Sequence, residues 1–525
     1  MYARFGRGLR RFLRSPLTLQ EAKILVRRRM AERESNFLRL VQRGIFGYPR
    51  SPYLPLLRQA HCEMGDLDRM VRTKGLEATL TVLRKAGVYV TFEEFKGRAP
   101  IVRKELVFPV KDRDFDNPFL RQYYHSESGG TTGTGTRIST DLDHLAAQSA
   151  NMMLTHDAHN VLGFPTAVWF GVLPDGGGLN TILRCIHFGQ VPEKWFSPAL
   201  GRNFQPSLRN RVANQGIIRM VRWFGIAMPY PEPVGPEEAV RISRWAAEKL
   251  KKKPSCLIIT LVSNALRICL GAKKEGIDLT GLTLWGGGEP PTPAKVREMT
   301  SVGARWIPGY WITEMGPVGM GCSRPNDVND LHLFRDLLVI IPDGPGETQE
   351  PDQVFYFTTL LPSVPKILLN VESDDRGILE TRSCGCPLEQ YGYTQHLRAI
   401  HSPRKLTGEG VTLVGSDLAI ILEEILPGRF GGNPSDYQLV EEEEDGGLTR
   451  VRLLISPKVP ITDDREVIEF FLDKVKRTST AADMAQAIWR EAKTLQIQRA
   501  EPLLTPRGKL MPLYVKRKKT GSLPS

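Results

Sequence analysis

Residues 282–290 have the sequence Leu-Thr-Leu-Trp-Gly-Gly-Gly-Glu-Pro, in which an apolar run of strand length enters three glycines and an acid. Similar apolar runs at 167–172 and 256–261 alternate with helix-like stretches at 143–155 and 237–251. Such alternation is typical of an α/β domain with a largely parallel sheet. Because the carboxyl ends of parallel strands face the ligand crevice, residues 282–290 predict both the fold and the place of a binding site.

The length and composition describe a folded protein of several domains. A chain of 525 residues is too long for one compact core. The chain has 41% hydrophobic and 25% charged residues. This composition excludes a wholly disordered protein and a disulfide-stabilised mini-protein. No apolar run reaches the roughly 18 residues of a membrane span. The odd count of 7 cysteines, without an apolar signal segment, favours a reducing compartment, so we expect a cytoplasmic protein.

The whole chain carries a net charge of +13, and the positive charge is concentrated at the N-terminus. Arginines at 4–14 alternate with Phe5, Leu9 and Phe12 at roughly helical spacing. This pattern predicts a basic amphipathic helix, which would suit peripheral membrane contact, a transit peptide or a solvated extension. No recognition motif accompanies the charge, so a nucleic-acid partner is not expected.

A glycine- and threonine-rich loop occupies residues 126–136, with the sequence Ser-Glu-Ser-Gly-Gly-Thr-Thr-Gly-Thr-Gly-Thr. Glycines permit close backbone approach, and the exposed N–H and hydroxyl groups can donate to phosphate oxygens. The loop lacks the Gly-Lys-Ser/Thr ending of a Walker loop and is not a GxGxxG turn. From these residues alone, a phosphate cradle and a flexible linker are both open.

A second polar group follows the strand at 282–290, in the sequence Tyr-Trp-Ile-Thr-Glu at 310–314. At a strand end in a parallel sheet, Thr313 offers a hydroxyl to phosphate and Glu314 a hard oxygen to Mg²⁺. Each feature taken alone also fits a turn or core aromatics.

Three cysteines and a histidine form a possible metal site: Cys322, His332, Cys384 and Cys386. Three thiolates and an imidazole suit tetrahedral Zn²⁺ in a closed structural site. Reduced core cysteines beside a hydrogen-bonded histidine are the alternative.

In combination and in order, these segments resemble the adenylate-forming superfamily of acyl-CoA synthetases, and specifically its phenylacetate-CoA ligase-like branch. The resemblance runs from about residue 99 to 509. It implies an α/β protein with a large adenylate-forming domain and a small mobile α+β lid. We therefore expect a basic, mainly helical region at 1–100, the ATP- and carboxylate-binding domain at 101–400 and the C-terminal lid domain at 401–525.

The resemblance also assigns roles around the nucleotide. The phosphate loop matches at Gly130, Thr131, Thr132 and Gly133. The Gly-Gly-Glu beside the adenine matches Gly287, Gly288 and Glu289. Adenine stacking, phosphate contact and Mg²⁺ binding are implied for Tyr310, Thr313 and Glu314 in turn.

Two further residues complete the implied site. Asp375 stands where the family's aspartate holds the ribose hydroxyls, a task that suits a carboxylate because it accepts from both at once. Lys509 resembles the C-terminal lysine that reaches the α-phosphate and the carboxylate during adenylation. The resemblance also implies that the Cys322–Cys386 cluster holds a structural zinc.

Five positions depart from the family pattern: Gly129 replaces serine, Thr134 replaces lysine, Trp311 replaces glycine, and His401 and Pro403 stand where the hinge has arginine and aspartate. Proline fixes φ, so we expect the rotation of the lid to differ at this point or to move to neighbouring residues. These changes bear more on the second half-reaction than on nucleotide binding.

Taken together, the sequence predicts an acid-thiol ligase. ATP and Mg²⁺ would activate an aryl or acyl carboxylic acid to an acyl-adenylate, and coenzyme A would then take the acyl group. Two alternatives stay open: transfer to an amine or a carrier-protein thiol, and a sensor that binds a nucleotide without turnover.

Overall fold

The fold is taken from a computed structural model. It describes residues 2–121, 123–127, 137–198, 206–343, 353–402, 405–406, 413–414, 421–443, 448–475, 489–503 and 513–516. Within these ranges, every helix is too short or too polar to cross a lipid bilayer.

The helices are concentrated in the N-terminal half of the chain. In chain order they are α1 Tyr2–Arg14, α2 Leu19–Ala31, α3 Arg33–Val41, α4 Tyr53–Gln59, α5 Met64–Lys74, α6 Leu76–Lys85, α7 Phe92–Phe95, α8 Leu142–Ala158, α9 Gly177–His187, α10 Leu208–Trp223, α11 Val240–Leu250, α12 Val262–Glu275, α13 Pro293–Thr300, α14 Leu426–Phe430 and α15 Asp464–Val475.

In the described ranges the strands form one large sheet, a smaller C-terminal sheet and three two-stranded sheets. In chain order they are β1 Ile101–Arg103, β2 Leu106–Phe108, β3 Tyr123–Glu127, β4 Arg137–Asp141, β5 Thr166–Trp169, β6 Lys194–Ser197, β7 Pro231–Pro233, β8 Cys256–Leu261, β9 Leu282–Gly287, β10 Arg305–Ile312, β11 Gly316–Gly321, β12 Leu331–Leu333, β13 Leu338–Pro342, β14 Gln353–Thr359, β15 Val371–Thr381, β16 Gln395–His401, β17 Lys405–Leu406, β18 Leu413–Val414, β19 Tyr437–Glu443, β20 Thr449–Ile455, β21 Leu495–Arg499 and β22 Leu513–Lys516.

The large sheet has twelve strands in the order β13-β14-β15-β16-β12-β11-β10-β9-β8-β5-β6-β7. From β7 to β10 all neighbours are parallel, which confirms the α/β prediction. From β11 onward the neighbours are antiparallel, a half that the sequence analysis did not anticipate. Among the described residues no α-helix lies between these strands, and a tight turn reverses the chain between β10 and β11.

Both faces of the parallel half are buried, which explains its continuous apolar strands. In β8, Leu257 and Ile259 join the largest core cluster, whereas Cys256 and Ile258 join a second cluster on the opposite face. This alternation follows the two-residue period of a strand. Helices α11, α12 and α13 cover the second face, where Ile242, Leu266 and Met299 are among the residues they contribute.

The carboxyl ends of β8, β9 and β10 approach one another closely at two glycines. A Cβ on Gly286 would lie 1.6 Å from the Thr260 carbonyl oxygen, and one on Gly287 would lie 1.9 Å from that of Gly309. No side chain fits at either position, so the glycines of residues 282–290 are required for the sheet itself.

Local signals set the ends of several helices. Thr18 and Glu21 form a capping box at the start of α2, in which the Thr18 amide donates to Glu21 Oε2 at 2.8 Å. Helix α12 ends at Gly276, whose φ of 66° lies in the left-handed region.

The basic helix α1 packs against the rest of the protein. Phe5, Leu9 and Phe12 are all buried, and the Phe12 ring stacks on His187 with centroids 4.3 Å apart. Its apolar face is therefore not available to a membrane in this structure, whereas Arg7, Arg10 and Arg14 are exposed.

The C-terminal part forms its own small core. Strands β19 and β20 pair as an antiparallel hairpin, with β21 and β22 parallel to them on either side. Phe471 of α15 packs on Leu439 and Leu453 of the hairpin. This part also contacts the large sheet's helical layer, because Lys295 Nζ donates to Thr449 Oγ1 at 2.8 Å.

Truncating the buried face of α1 should destabilise the whole protein. Leu9 is fully buried, so Leu9→Ala should lower the free energy of unfolding by about 2–5 kcal/mol, measured by urea denaturation. The control is Ile24→Ala on α2, where the side chain is 55% exposed and the change should stay within about 0.5 kcal/mol. Equal effects of the two substitutions would contradict the packing of α1.

Candidate active site

One cavity of about 680 Å³ lies at the carboxyl ends of the parallel strands. It is lined by the predicted nucleotide-site residues that the structure describes: Gly287, Gly288, Glu289, Tyr310, Thr313, Glu314 and Asp375. The first and last of these residues, Gly287 and Asp375, are 88 positions apart in the chain. The fold therefore brings the separate motifs to one place.

Tyr310 and Asp375 are in direct contact. The Tyr310 hydroxyl donates to Asp375 Oδ2 at 2.6 Å, and the Ser402 hydroxyl donates to Asp375 Oδ1. Tyr310 lies at a bulge where the register of β10 against β11 shifts, and Asp375 lies on β15. Burial first, and then the Asp375 charge, raise the pKa of Tyr310 well above its usual value, so the phenol stays protonated and able to donate.

The four phosphate-loop residues Gly130, Thr131, Thr132 and Gly133 lie outside the described residues, as does Lys509. The strands on either side of the loop are described. β3 and β4 pair as an antiparallel hairpin, and Ser126 and Thr140 on them line the cavity.

Glu314 carries a negative charge that a nearby lysine stabilises. Lys96 Nζ lies 2.7 Å from Glu314 Oε1, and the carboxylate side chain is only 9% exposed. Burial alone would raise the pKa of Glu314, but the charge and hydrogen bond of Lys96, together with a backbone hydrogen bond and the Lys366 charge, bring the pKa below its usual value. The carboxylate is thus ionised at neutral pH, the form in which it can bind a cation.

The Glu289 carboxylate is engaged by the protein. It accepts from the Ser263 amide at 3.1 Å and from the Ser263 hydroxyl at 2.6 Å, at the first turn of α12. Lys295 Nζ lies 3.6 Å from the same carboxylate. Glu289 therefore ties the loop after β9 to the positive end of a helix.

The four proposed zinc ligands meet in space. One ligand atom from each of Cys322, His332, Cys384 and Cys386 lies within 4.8 Å of the other three. They come from the segments after β11, on β12 and after β15. The distances and the donor set fit one tetrahedral ion.

The surroundings of the cluster suit metal binding. His332 Nδ1 donates to the Tyr393 carbonyl at 2.7 Å, so Nε2 turns toward the cysteines and lies 3.7 Å from Cys384 Sγ. A hydrogen bond from the Cys322 thiol lowers the pKa of Cys386 more than burial raises it. The neighbouring Asp330 carboxylate already accepts from Arg382 and His396, so it is committed elsewhere.

Comparison with known proteins gives structural neighbours. No protein-family model matches the sequence, and no curated protein matches it. Among solved structures, 2-hydroxyisobutyryl-CoA ligase in complex with 2-HIB-AMP and CoA matches with a TM-score of 0.57 at 14% identity, over 93% of this chain and 90% of that one. The chain has the adenylate-forming fold.

Two other matches have lower TM-scores. The same ligase in its postadenylation state gives 0.47 at 12% identity, over 95% of this chain and 90% of that one. A mutant of the amide bond synthetase Mcba from Marinactinospora thermotolerans gives 0.41 at 10% identity, over 91% of this chain and 92% of that one.

Within this adenylate-forming fold, three cations line the cavity that the sequence motifs did not point to: Lys96, Arg98 and Arg184. Lys96 belongs to the helical N-terminal region, and only the three-dimensional contact with Glu314 connects it to the site. Arg184 lies on α9 and also lines the cavity. Its one sequence signal is a charge within the otherwise mostly apolar stretch Ile182–Ile186.

Removing the Lys96 charge should change stability in a pH-dependent way. At pH 7, Lys96→Met would leave the Glu314 carboxylate buried without its cation and should lower the free energy of unfolding by about 3 kcal/mol. Burial then raises the pKa of Glu314, so protonation near pH 5 should reduce the loss. In the unsubstituted protein, the Lys96–Glu314 pair stabilises the folded state at pH values above the pKa that Glu314 has in the unfolded chain. This contribution is lost only as the pH falls through the lower pKa that Glu314 has in the folded protein.

Urea denaturation at pH 7 and pH 5 measures both effects. The matched control is the double variant Lys96→Met/Glu314→Gln, which removes both charges and should recover much of the stability lost at pH 7. A loss that is equal at the two pH values and is not rescued by the double variant would mean that the pair contributes nothing through charge.

Proposed function

We propose that the protein activates a carboxylic acid with ATP and transfers the acyl group to coenzyme A. One observation carries the proposal: the described nucleotide-site residues, predicted from separate motifs, line a single cavity in an adenylate-forming fold. The most specific part of this observation is the 2.6 Å hydrogen bond between Tyr310 and Asp375 in the cavity wall.

The residues suggest a division of roles. Tyr310 and Asp375 would hold the nucleoside, with the ring stacked on adenine and the carboxylate on the ribose hydroxyls. Thr313 would donate to a phosphate oxygen. Gly130–Gly133 would wrap the other phosphates, and Lys509 would reach the α-phosphate and the reacting carboxylate.

The first half-reaction needs alignment and charge neutralisation more than covalent catalysis. An oxygen of the substrate carboxylate attacks the α-phosphorus, the bond to the pyrophosphate oxygen breaks, and an acyl-adenylate forms. In the second half-reaction the sulfur of coenzyme A attacks the acyl carbon, the thiol proton passes to solvent and AMP leaves. Rotation of the lid between these steps would admit the thiol.

Glu314 fits a magnesium ligand. Mg²⁺ is usually held by one or two carboxylates together with substrate phosphates, and it would supply charge neutralisation at those phosphates. Glu314 lines the cavity and is kept ionised by Lys96, as a metal ligand must be.

We also propose that Cys322, His332, Cys384 and Cys386 hold a structural zinc ion. Four donors are the number that a closed structural zinc site takes, and this would leave no position for water. The ion would join the segment after β11 to the segment after β15, next to the strand that carries Asp375. Together with the motif order, this cluster supports the phenylacetate-CoA ligase-like branch.

The remaining expectations are proposals of the same kind. We retain domain boundaries at residues 100 and 400, a cytoplasmic location, and peripheral membrane contact only through the exposed arginines of α1. Acyl transfer to coenzyme A is to be compared by measurement with transfer to an amine and to a carrier-protein thiol.

The zinc proposal predicts one equivalent of bound zinc. The purified protein should contain about one zinc per chain by mass spectrometry, and Cys384→Ser/Cys386→Ser should contain almost none. Loss of the ion should lower the free energy of unfolding by several kcal/mol, as a strong chelator should in the unsubstituted protein. Cys62→Ala, a buried cysteine outside the cluster, is the control and should keep its zinc. A full zinc content in the double variant would refute the site.

ATP–pyrophosphate exchange tests the function. Across a panel of aromatic, aliphatic and dicarboxylic acids, we expect exchange that depends on one class of acid. Lys509→Ala should lower it about 10²–10³-fold, the scale for losing one transition-state donor. Lys458→Ala, an exposed lysine of the same C-terminal part, is the control and should change it little. Measurable ATP binding without exchange for any acid would instead favour the nucleotide sensor.

A further inference from the structure

Arg184 is an unusual residue of the cavity wall. It lies on α9, is 5% exposed, and lines the cavity that also holds Tyr310 and Glu314. Burial lowers the pKa of Arg184 to about 10, so its guanidinium is still charged at neutral pH.

The contacts of this guanidinium are neutral. One terminal nitrogen donates to Gln148 Oε1 at 2.7 Å and the other to Thr181 Oγ1 at 3.3 Å. The group lies over the Trp311 ring, 4.4 Å from its centroid. Its Nε is buried and has no hydrogen-bond partner among the described residues.

Comparison with the other buried cations shows that this is an exception. Among the described residues, the remaining lysines and arginines of comparable burial each have a carboxylate nearby: Arg29 with Asp336 at 3.1 Å, Arg267 with Glu237 at 3.6 Å, Lys295 with Glu289 at 3.6 Å and Lys366 with Asp116 at 2.6 Å. Arg184 alone in this set forms no ion pair with a described carboxylate.

A buried charge without a counter-ion is costly, and such charges are normally paired. Here the neutral contacts hold the guanidinium in place without neutralising it. The Gln148 side chain is itself packed closely against the backbone of Gly316. A Cβ at that position would lie only 2.1 Å from Gln148 Nε2. The protein therefore orients a cation toward a ligand space, and no described carboxylate compensates its charge.

The position of Arg184 separates it from the nucleoside contacts. Its guanidinium contacts Gln148 of α8, Thr181 of α9 and the Trp311 ring, whereas the Tyr310 hydroxyl contacts Asp375. His144 belongs to the same wall, and its Nε2 donates to the Met315 carbonyl at 3.0 Å. Burial lowers the pKa of His144 to about 4, so its Nδ1, which has no partner among the described residues, is an acceptor at neutral pH.

We infer that Arg184 binds a second anionic group on the carboxylic acid substrate. The acid would enter with one carboxylate toward the nucleotide phosphates and the other anionic group, a carboxylate or a phosphate, against the guanidinium. Since the 680 Å³ cavity must hold the nucleotide as well, a short diacid fits best. This inference rests on the proposed function, because it names the acid that the same site activates.

The test compares acids that differ only at the far end. For chains of four to six carbons, the monocarboxylic acid, its ω-carboxamide, the dicarboxylic acid and the ω-phosphorylated acid are assayed by ATP–pyrophosphate exchange. A charged hydrogen bond should favour one ω-anionic acid about 10- to 100-fold in kcat/KM over the matched ω-carboxamide. The carboxylate and phosphate arms decide which anion it is.

Variants assign this preference to Arg184. Arg184→Met should remove it, mainly through KM because the contact is the same in the ground and transition states, and Arg184→Lys should restore part of it. The readout is the ratio of kcat/KM for the ω-anionic acid to kcat/KM for the ω-carboxamide, measured in the same variant. Gln148→Leu, which removes the oxygen that orients the guanidinium, is the second variant if Arg184→Met does not fold.

Two outcomes overturn the inference while the proposed function stands. One is exchange with monocarboxylic acids or ω-carboxamides that equals or exceeds exchange with the ω-anionic acids. The other is a matching loss of ATP affinity in Arg184→Met without any acid, which would assign the guanidinium to nucleotide phosphates.

A binding measurement separates failure of the inference from failure of the function. If no acid supports exchange, the thermal unfolding of the ATP-bound protein is followed with each acid. An increase in melting temperature that is specific to an ω-anionic acid and is lost in Arg184→Met would uphold the anion site without turnover. No such increase would overturn the inference as well.

Discussion

The close approach of three strands at Gly286 and Gly287 is the constraint on which the site depends. At the carboxyl ends of β8, β9 and β10, carbonyl oxygens occupy the space where side chains would otherwise stand. The chain must then leave the sheet at this edge, and it does so through Glu289 after β9 and through Thr313 and Glu314 after β10. The polar residues of the cavity are thus gathered by backbone geometry, before any of them contacts a ligand.

The electrostatics of the cavity follow from how each charge is paired. The Glu289 carboxylate is satisfied by α12 and Lys295, and the Glu314 carboxylate lies beside Lys96. The pKa of Glu314 is accordingly below its usual value despite burial, so this carboxylate stays ionised. Arg184, by contrast, is held by an amide, a hydroxyl and an indole ring, none of which carries charge. The charge of Arg184 is therefore not neutralised by an ion pair with a described carboxylate.

Local patterns in the sequence predicted the parallel half of the sheet well. Apolar runs of strand length and glycines at strand ends both act over short distances, so they can be read directly from the residues. The contact between Tyr310 and Asp375 could be expected only because the order of motifs resembled a family, since 65 residues separate them. The phosphate loop and Lys509 lie outside the described residues, and their roles stay predictions.

Other features could not be predicted because they depend on tertiary packing. Nothing in the segment around Lys96 marks it as a partner of Glu314, and the burial of α1 depends on a surface formed by α8 and α9. The antiparallel half of the sheet was missed for a similar reason. The pairing of its strands depends on the sheet edge available in three dimensions, which the residues of one strand do not specify.

The contact of Lys295 with both Glu289 and Thr449 has a thermodynamic consequence. One ammonium group serves the loop beside the cavity and the C-terminal part at the same time, through distances of 3.6 Å and 2.8 Å. Any rotation that carries Thr449 away changes the electrostatic environment of Glu289, and any ligand that alters Glu289 changes the affinity of Lys295 for Thr449. By linkage the two effects must be equal in free energy. Lys295 thus places Glu289, on the cavity, and Thr449, in the C-terminal part, in one linked set of contacts.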